Sequence, residues 1–77
     1  MDKAMMKAMI VRNNDTQEAL AHALNLPQSA ISNRINGKVD FRISEIQCIR
    51  KRYRLTAEAL ESIFFDGPVS SADTFKG

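Results

Sequence analysis

The sequence has little of what enzymes, disulfide-rich domains and metal-binding proteins are built from. Cys48 is the only cysteine, which excludes an internal disulfide and a metal site made of several thiolates. His22 is the only histidine, and the scattered carboxylates offer no nucleophile–base pair at a usable spacing. We therefore expect neither enzyme activity nor a bound metal or cofactor.

Long hydrophobic runs are also missing. The chain has no stretch of about 18 or more apolar residues, and its N-terminus lacks the layout of a signal peptide. This predicts a cytoplasmic protein with no membrane partner. The 77 residues make one small domain. A chain this short buries only roughly 60% of its unfolded surface, so association with a partner is a reasonable expectation.

Positive charge is unevenly distributed, although the net charge is only +2. Between residues 34 and 54, two acidic residues, Asp40 and Glu45, accompany seven basic ones: Arg34, Lys38, Arg42, Arg50, Lys51, Arg52 and Arg54. Such clustering suits a polyanionic partner such as DNA. The basic run at 50–54 could equally stabilise the negative end of a helix, and the sequence does not decide between the two.

Helical spacing of apolar residues predicts an all-α fold of five short helices, over residues 2–12, 17–24, 28–36, 43–53 and 57–64. Met6, Met9 and Ile10 share one face of the first helix and should be buried. Phe41 is expected to fill the core from a connector. The predicted domain covers residues 1–65. Residues 66–77 are rich in Ser, Gly and Asp, which predicts a flexible C-terminal tail.

The stretch TQEALAHALNLPQSAISNRINGK, residues 16–38, has the pattern of a helix-turn-helix. Its helices would be Gln17–Leu24 and Gln28–Asn36, joined by a turn at Asn25–Pro27. Either Asp15 or Thr16 could cap the first helix. Asn tolerates the left-handed conformation that ends a helix abruptly, and Gly37 would supply the positive φ that ends the second helix.

The second of these helices carries polar side chains along one face. At about 100° per residue, five of them fall within an arc of roughly 140°: Gln28, Ser29, Ser32, Asn33 and Asn36. Ile31 and Ile35 point the other way. A merely solvated face usually carries Lys and Glu, whereas short amides and hydroxyls match the donor and acceptor edges of base pairs. The pattern favours DNA base readout over plain solvent exposure.

Taken together, these residues resemble the lambda-repressor-like (Cro and repressor) helix-turn-helix family. The similarity continues through DFRISEI and LTAEALESIFF, which look like small phage repressor or Cro-type proteins, and spans roughly residues 6–65. The resemblance implies a five-helix lambda-repressor-like DNA-binding domain. It also implies base readout and phosphate contacts by the residues that match the family's motif.

By this resemblance, bases would be read by Gln28, Ser29, Ser32 and Asn33, and phosphates would be contacted by Gln17, Asn36 and Lys38. Arg34 and Arg42 are further candidate phosphate contacts. Two residues depart from the family. Asn25 stands where the family usually has Gly. Arg34 stands where many members place an aliphatic residue, so it either lies against a phosphate or pairs with an acidic neighbour.

These observations predict a sequence-specific transcriptional regulator, a phage or prophage repressor or Cro-like protein that binds double-stranded DNA in the bacterial cytoplasm or nucleoid. One domain reads only a few base pairs, so a homodimer on a palindromic operator is expected. Phe65 is a candidate dimer contact, unless it folds back onto its own domain. The chain leaves no room for a separate effector domain, so no small-molecule effector is expected.

The alternative function is that of a protein-interaction module, antitoxin-like or antirepressor, on the same scaffold. Its signature would be apolar or acidic residues on the outer arc of residues 28–36, and the sequence has none there.

Overall fold

The computed structural model describes residues 1–65. They form five helices: α1 (Lys3–Arg12), α2 (Gln17–Ala23), α3 (Gln28–Ile35), α4 (Ile43–Tyr53) and α5 (Ala57–Phe64). The predicted all-α, five-helix architecture is confirmed, with α2 and α3 as the helix-turn-helix. The flexible tail predicted for residues 66–77 lies outside the described residues.

Short polar side chains begin three of the helices. Asp2, Thr16 and Thr56 each accept a hydrogen bond from the backbone N–H three residues further on, at 3.0–3.1 Å. Of the two candidate caps for α2, Thr16 is therefore the one used, which leaves the Asp15 carboxylate available for another contact. Such caps satisfy backbone donors that have no partner inside the helix.

Left-handed residues close the helices and turn the chain sharply. Asn25 has φ 59° after α2, and Gly37 has φ 81° after α3, as the sequence predicted for both positions. Arg54 also adopts φ 54° and ends α4. Asn and Gly enter this region at little cost, whereas Arg does so only where the surrounding structure holds it.

One core joins all five helices. The fully buried side chains with the largest volumes are Met6, Leu20, Ile31, Ile35 and Ile49. The predicted burial of Met6, Met9 and Ile10 on one face of α1 is confirmed. Phe41 fills the core from the connector, as predicted, and meets Phe64 of α5 edge-to-face with ring centroids 5.7 Å apart. This packing fixes α3 from its inner side.

No helix of the described residues is both long and apolar enough to cross a bilayer.

Candidate nucleic-acid interface

Helix α3 presents one face to solvent and the opposite face to the core. Gln28, Ser29 and Asn33 are exposed, while Ile31 and Ile35 are completely buried. The two isoleucines anchor the helix because their whole surface is removed from water, worth about 1.5–3 kcal/mol each. The outward side chains are then free to contact another molecule without disturbing the core.

Ser32 and Asn36 differ from the other polar residues of α3. Ser32 is half-buried, and the Asn36 amide nitrogen donates to the Ser32 carbonyl oxygen at 3.0 Å and to its hydroxyl oxygen at 3.4 Å. Part of the hydrogen-bonding capacity of this pair is therefore used inside the protein. Asn36 itself remains exposed at the end of the helix.

The turn between α2 and α3 is short and tightly bonded. The Leu26 N–H donates to the Ala21 carbonyl oxygen at 2.9 Å, and Leu26 packs against the core from the turn. Ala21 is 3% exposed. Its small side chain suits the close crossing of two helices, where a larger one would be overpacked. Gln17, the first residue of α2, is half-buried.

Exposed basic side chains follow the end of α3. Lys38 and Arg42 both lie on the connector to α4 and are exposed. The side chain of Lys3, in the first turn of α1, lies beside Gly37 at the end of α3. A Cβ atom added to Gly37 would be 3.7 Å from the Lys3 Cδ atom. The sequence did not predict that Lys3 lies beside the end of α3, because no spacing rule relates Lys3 to Gly37, 34 positions later.

Arg34 does not belong to this exposed set. It is only 9% exposed, and its Nε donates to the Glu45 carboxylate at 2.8 Å across the α3–α4 contact. Its Nη1 atom lies 3.4 Å from the Ala30 carbonyl oxygen. The structure thus shows Arg34 paired with an acidic neighbour, and the guanidinium would have to break this pair to reach a phosphate.

A second ion pair fixes the start of α2. Arg52, on α4, holds the Asp15 carboxylate through two hydrogen bonds of 2.8 and 3.0 Å, and the Tyr53 hydroxyl donates to the same carboxylate. The Arg52 hydrogen bond, helped by Tyr53, keeps the Asp15 pKa well below its usual range despite burial. Burial and the Asp15 contact raise the Tyr53 pKa. Asp15 precedes the Thr16 cap, so this cluster orients α2.

Acidic, histidine and cysteine side chains do not gather at the interface. Within residues 1–65, no three of them are placed as the ligands of a metal ion would be. The surface around α3 is instead built of amides, hydroxyls and cations, which are the groups that hydrogen-bond to base edges and phosphates.

Comparison with known proteins identifies the fold. A family model described as Helix-turn-helix matches residues 6–60, more than half of the chain. Neither the curated proteins nor the solved structures compared with the chain gave a match. The matching model describes the Cro and repressor type of helix-turn-helix, a family of DNA-binding transcriptional regulators and not of enzymes. The chain therefore belongs to the lambda-repressor-like helix-turn-helix family.

Proposed function

We propose that this protein is a sequence-specific regulator of transcription, of the phage or prophage repressor or Cro-like type, which binds a palindromic operator as a homodimer in the bacterial cytoplasm. The observation that carries the proposal is the arrangement of α3. Exposed Gln28, Ser29 and Asn33 face outward, and fully buried Ile31 and Ile35 hold the helix in place.

Base readout is assigned chiefly to Gln28, Ser29 and Asn33. A glutamine or asparagine can bond to adenine through two hydrogen bonds, and a serine can donate or accept. Ser32 is assigned a lesser part, since it is half-buried and already bonded to Asn36. Gln28 is the first residue of α3. In helix-turn-helix proteins the N-terminal residues of the recognition helix contact base edges.

Phosphate contacts are assigned to Gln17, Asn36, Lys38 and Arg42. Gln17 begins α2, and the other three lie at the end of α3 or on the connector to α4. Phosphates would then be contacted on both sides of the groove that α3 occupies. Lys3 joins this set because its side chain lies beside Gly37. Arg34 is left out because it is paired with Glu45 in the interior.

A second copy of the chain is the proposed partner. An open groove of about 490 Å³ lies where α1 begins, α4 begins and α5 ends. Three exposed apolar side chains line it: Val39 (44% exposed), Ile43 (67%) and Phe65 (45%). Asn36 and Gly37, at the end of α3, line the same groove. A two-fold contact here would cover these side chains and bring the ends of the two α3 helices close together.

Selection from random DNA tests the proposal. The purified chain is incubated with a random duplex library, bound duplexes are recovered and sequenced over several rounds, and the affinity for the selected site is measured at several salt concentrations. We expect a two-fold-symmetric sequence with half-sites about one helical turn apart and an affinity that falls steeply with salt. A library that stays random would reject the proposal.

A further inference from the structure

Ion pairs join helix α4 to the helix-turn-helix near both of its ends. Near its start, Glu45 pairs with Arg34 of α3, and near its end, Arg52 pairs with Asp15, which precedes the cap of α2. The pair near the start lies closer to the base-contacting residues, because Arg34 is itself part of α3. It is also the more enclosed, with side chains only 10% and 9% exposed.

One oxygen atom of Glu45 accepts hydrogen bonds from two different parts of the fold. Oε1 accepts from the Arg34 Nε at 2.8 Å and from the Arg42 backbone N–H at 2.9 Å. The second bond stabilises the start of α4, because the side chain of Glu45, the third residue of the helix, reaches back to the backbone N–H of the cap residue Arg42. The same carboxylate therefore joins α3 to the backbone of Arg42, whose side chain is exposed on the connector.

Buried ion pairs of this kind are often no more stabilising than apolar side chains of similar size, because both charges lose their hydration. What such an ion pair does fix is the relative position of the two helices that it joins. A carboxylate that must meet two donors within 3 Å permits little sliding of α3 along α4. The isoleucines of α3 hold the helix against the core, but apolar contacts are not directional and fix its offset along α4 less tightly.

We propose that Glu45 is a positioning residue for DNA recognition: it sets the offset between the base-contacting face of α3 and the phosphate contact at Arg42. The inference rests on the proposed function. Glu45 itself touches no DNA, as it is 7% exposed. When its contact with Arg34 is lost, α3 keeps its fold but its outward amides meet the base edges out of register with the phosphate contacts.

The test compares affinity for the selected operator with affinity for a scrambled duplex of equal length. Three variants of the full chain are used, each at a temperature at which circular dichroism shows it folded. Glu45→Gln keeps an acceptor for the Arg42 N–H but loses the charge. Arg34→Met/Glu45→Met removes both charges and keeps the volume. Ile49→Val is the matched control, since Ile49 is fully buried on α4 and takes no part in the pair.

Glu45→Gln and the double methionine variant are expected to lower the ratio of operator to scrambled affinity about tenfold, while scrambled affinity changes less than twofold. The double variant is expected to be at least as stable as Glu45→Gln and no more selective. A low affinity ratio in a stable variant would then be due to the lost positioning of α3 and not to lost stability. Ile49→Val should lose stability and keep the wild-type ratio.

Two results would overturn the inference: a wild-type ratio in the double variant, or an equal loss of ratio in Ile49→Val and Glu45→Gln. Either would leave the proposed function intact as long as the wild-type chain selects a defined site. A wild-type chain that selects no site would reject the proposed function, and the role of Glu45 with it.

Discussion

The hydroxyl of Tyr53 donates a hydrogen bond to the carboxylate of Asp15, 38 residues earlier in the chain. Arg52 binds the same carboxylate through two nitrogen atoms, so two consecutive residues at the end of α4 hold one acid at the start of α2. Asp15 is the residue before the Thr16 cap. The first helix of the helix-turn-helix is thus oriented by charge as well as by apolar packing.

The Asp15 cluster makes stability depend on acid pH. The hydrogen bonds from Arg52 and Tyr53 hold the pKa of Asp15 below its ordinary value in the folded chain. The unfolded chain therefore binds the proton first. The stabilisation present at pH 7 begins to fall below about pH 4 and decreases further as pH approaches the lower pKa of the folded state. Asp15→Asn should cost about 1.5–3 kcal/mol at pH 7 and less at pH 2.5. Urea unfolding of both proteins between pH 7 and pH 2.5 measures this.

Glu61→Gln is the control for Asp15→Asn, since it removes an exposed carboxylate from α5. Its unfolding free energy should stay within about 0.5 kcal/mol of wild type throughout. If the free energy of unfolding varied with pH in the same way for Asp15→Asn and wild type, the Asp15 cluster would not be the source of the acid dependence of stability.

Gln28 should contribute to sequence preference. Gln28→Ala is expected to lose roughly 1–3 kcal/mol of binding on the selected site and little on random DNA, because only base contacts are lost. Fluorescence anisotropy with both duplexes measures the difference. Gln47→Ala is the matched control, an exposed glutamine on α4, and should change neither affinity. Equal losses on both duplexes for Gln28→Ala would show that it does not read bases.

Lys38 should contribute charge without sequence preference. Lys38→Ala is expected to weaken binding to selected and random duplexes alike and to reduce the slope of log affinity against log salt by about 1, the value for one lost phosphate contact. Lys51→Ala removes the same charge from an exposed position on α4. An unchanged slope in Lys51→Ala, beside a reduced one in Lys38→Ala, would place the phosphate contact on the connector. Identical slopes for the two variants would contradict that placement.

The groove at Phe65 should hold the second copy of the chain. Phe65→Ser is expected to weaken self-association at least tenfold in sedimentation equilibrium, because it exchanges an aromatic contact for a polar group. Val11→Ser changes an apolar side chain on α1 that is 72% exposed, and should leave self-association unchanged. Loss of dimer in Val11→Ser alone would place the interface elsewhere.

Local features of the chain were predictable from the sequence because they depend on neighbouring residues. The helix starts at Gln17 and Gln28, and the left-handed turns at Asn25 and Gly37, follow from caps and backbone preferences. The burial of Phe41 on its connector was also predicted and is confirmed.

Contacts between distant residues could not be predicted in this way. Arg34 had two possible partners, and only the crossing of α3 and α4 shows that Glu45 lies within 2.8 Å. The Asp15–Arg52 pair spans 37 residues. Several acids and several bases were available for each pairing, and helical periodicity carries no information on which helices are neighbours. The placement of Lys3 beside Gly37 was missed for the same reason.

The division of α3 into a buried half and an outward half has an evolutionary consequence. Gln28, Ser29 and Asn33 give almost nothing to the core, so exchanging them should leave the domain as stable as before while changing the operators it prefers. A regulator built in this way can acquire a new target within a few substitutions. The targets of such regulators can thereby diversify while the core of the domain stays the same.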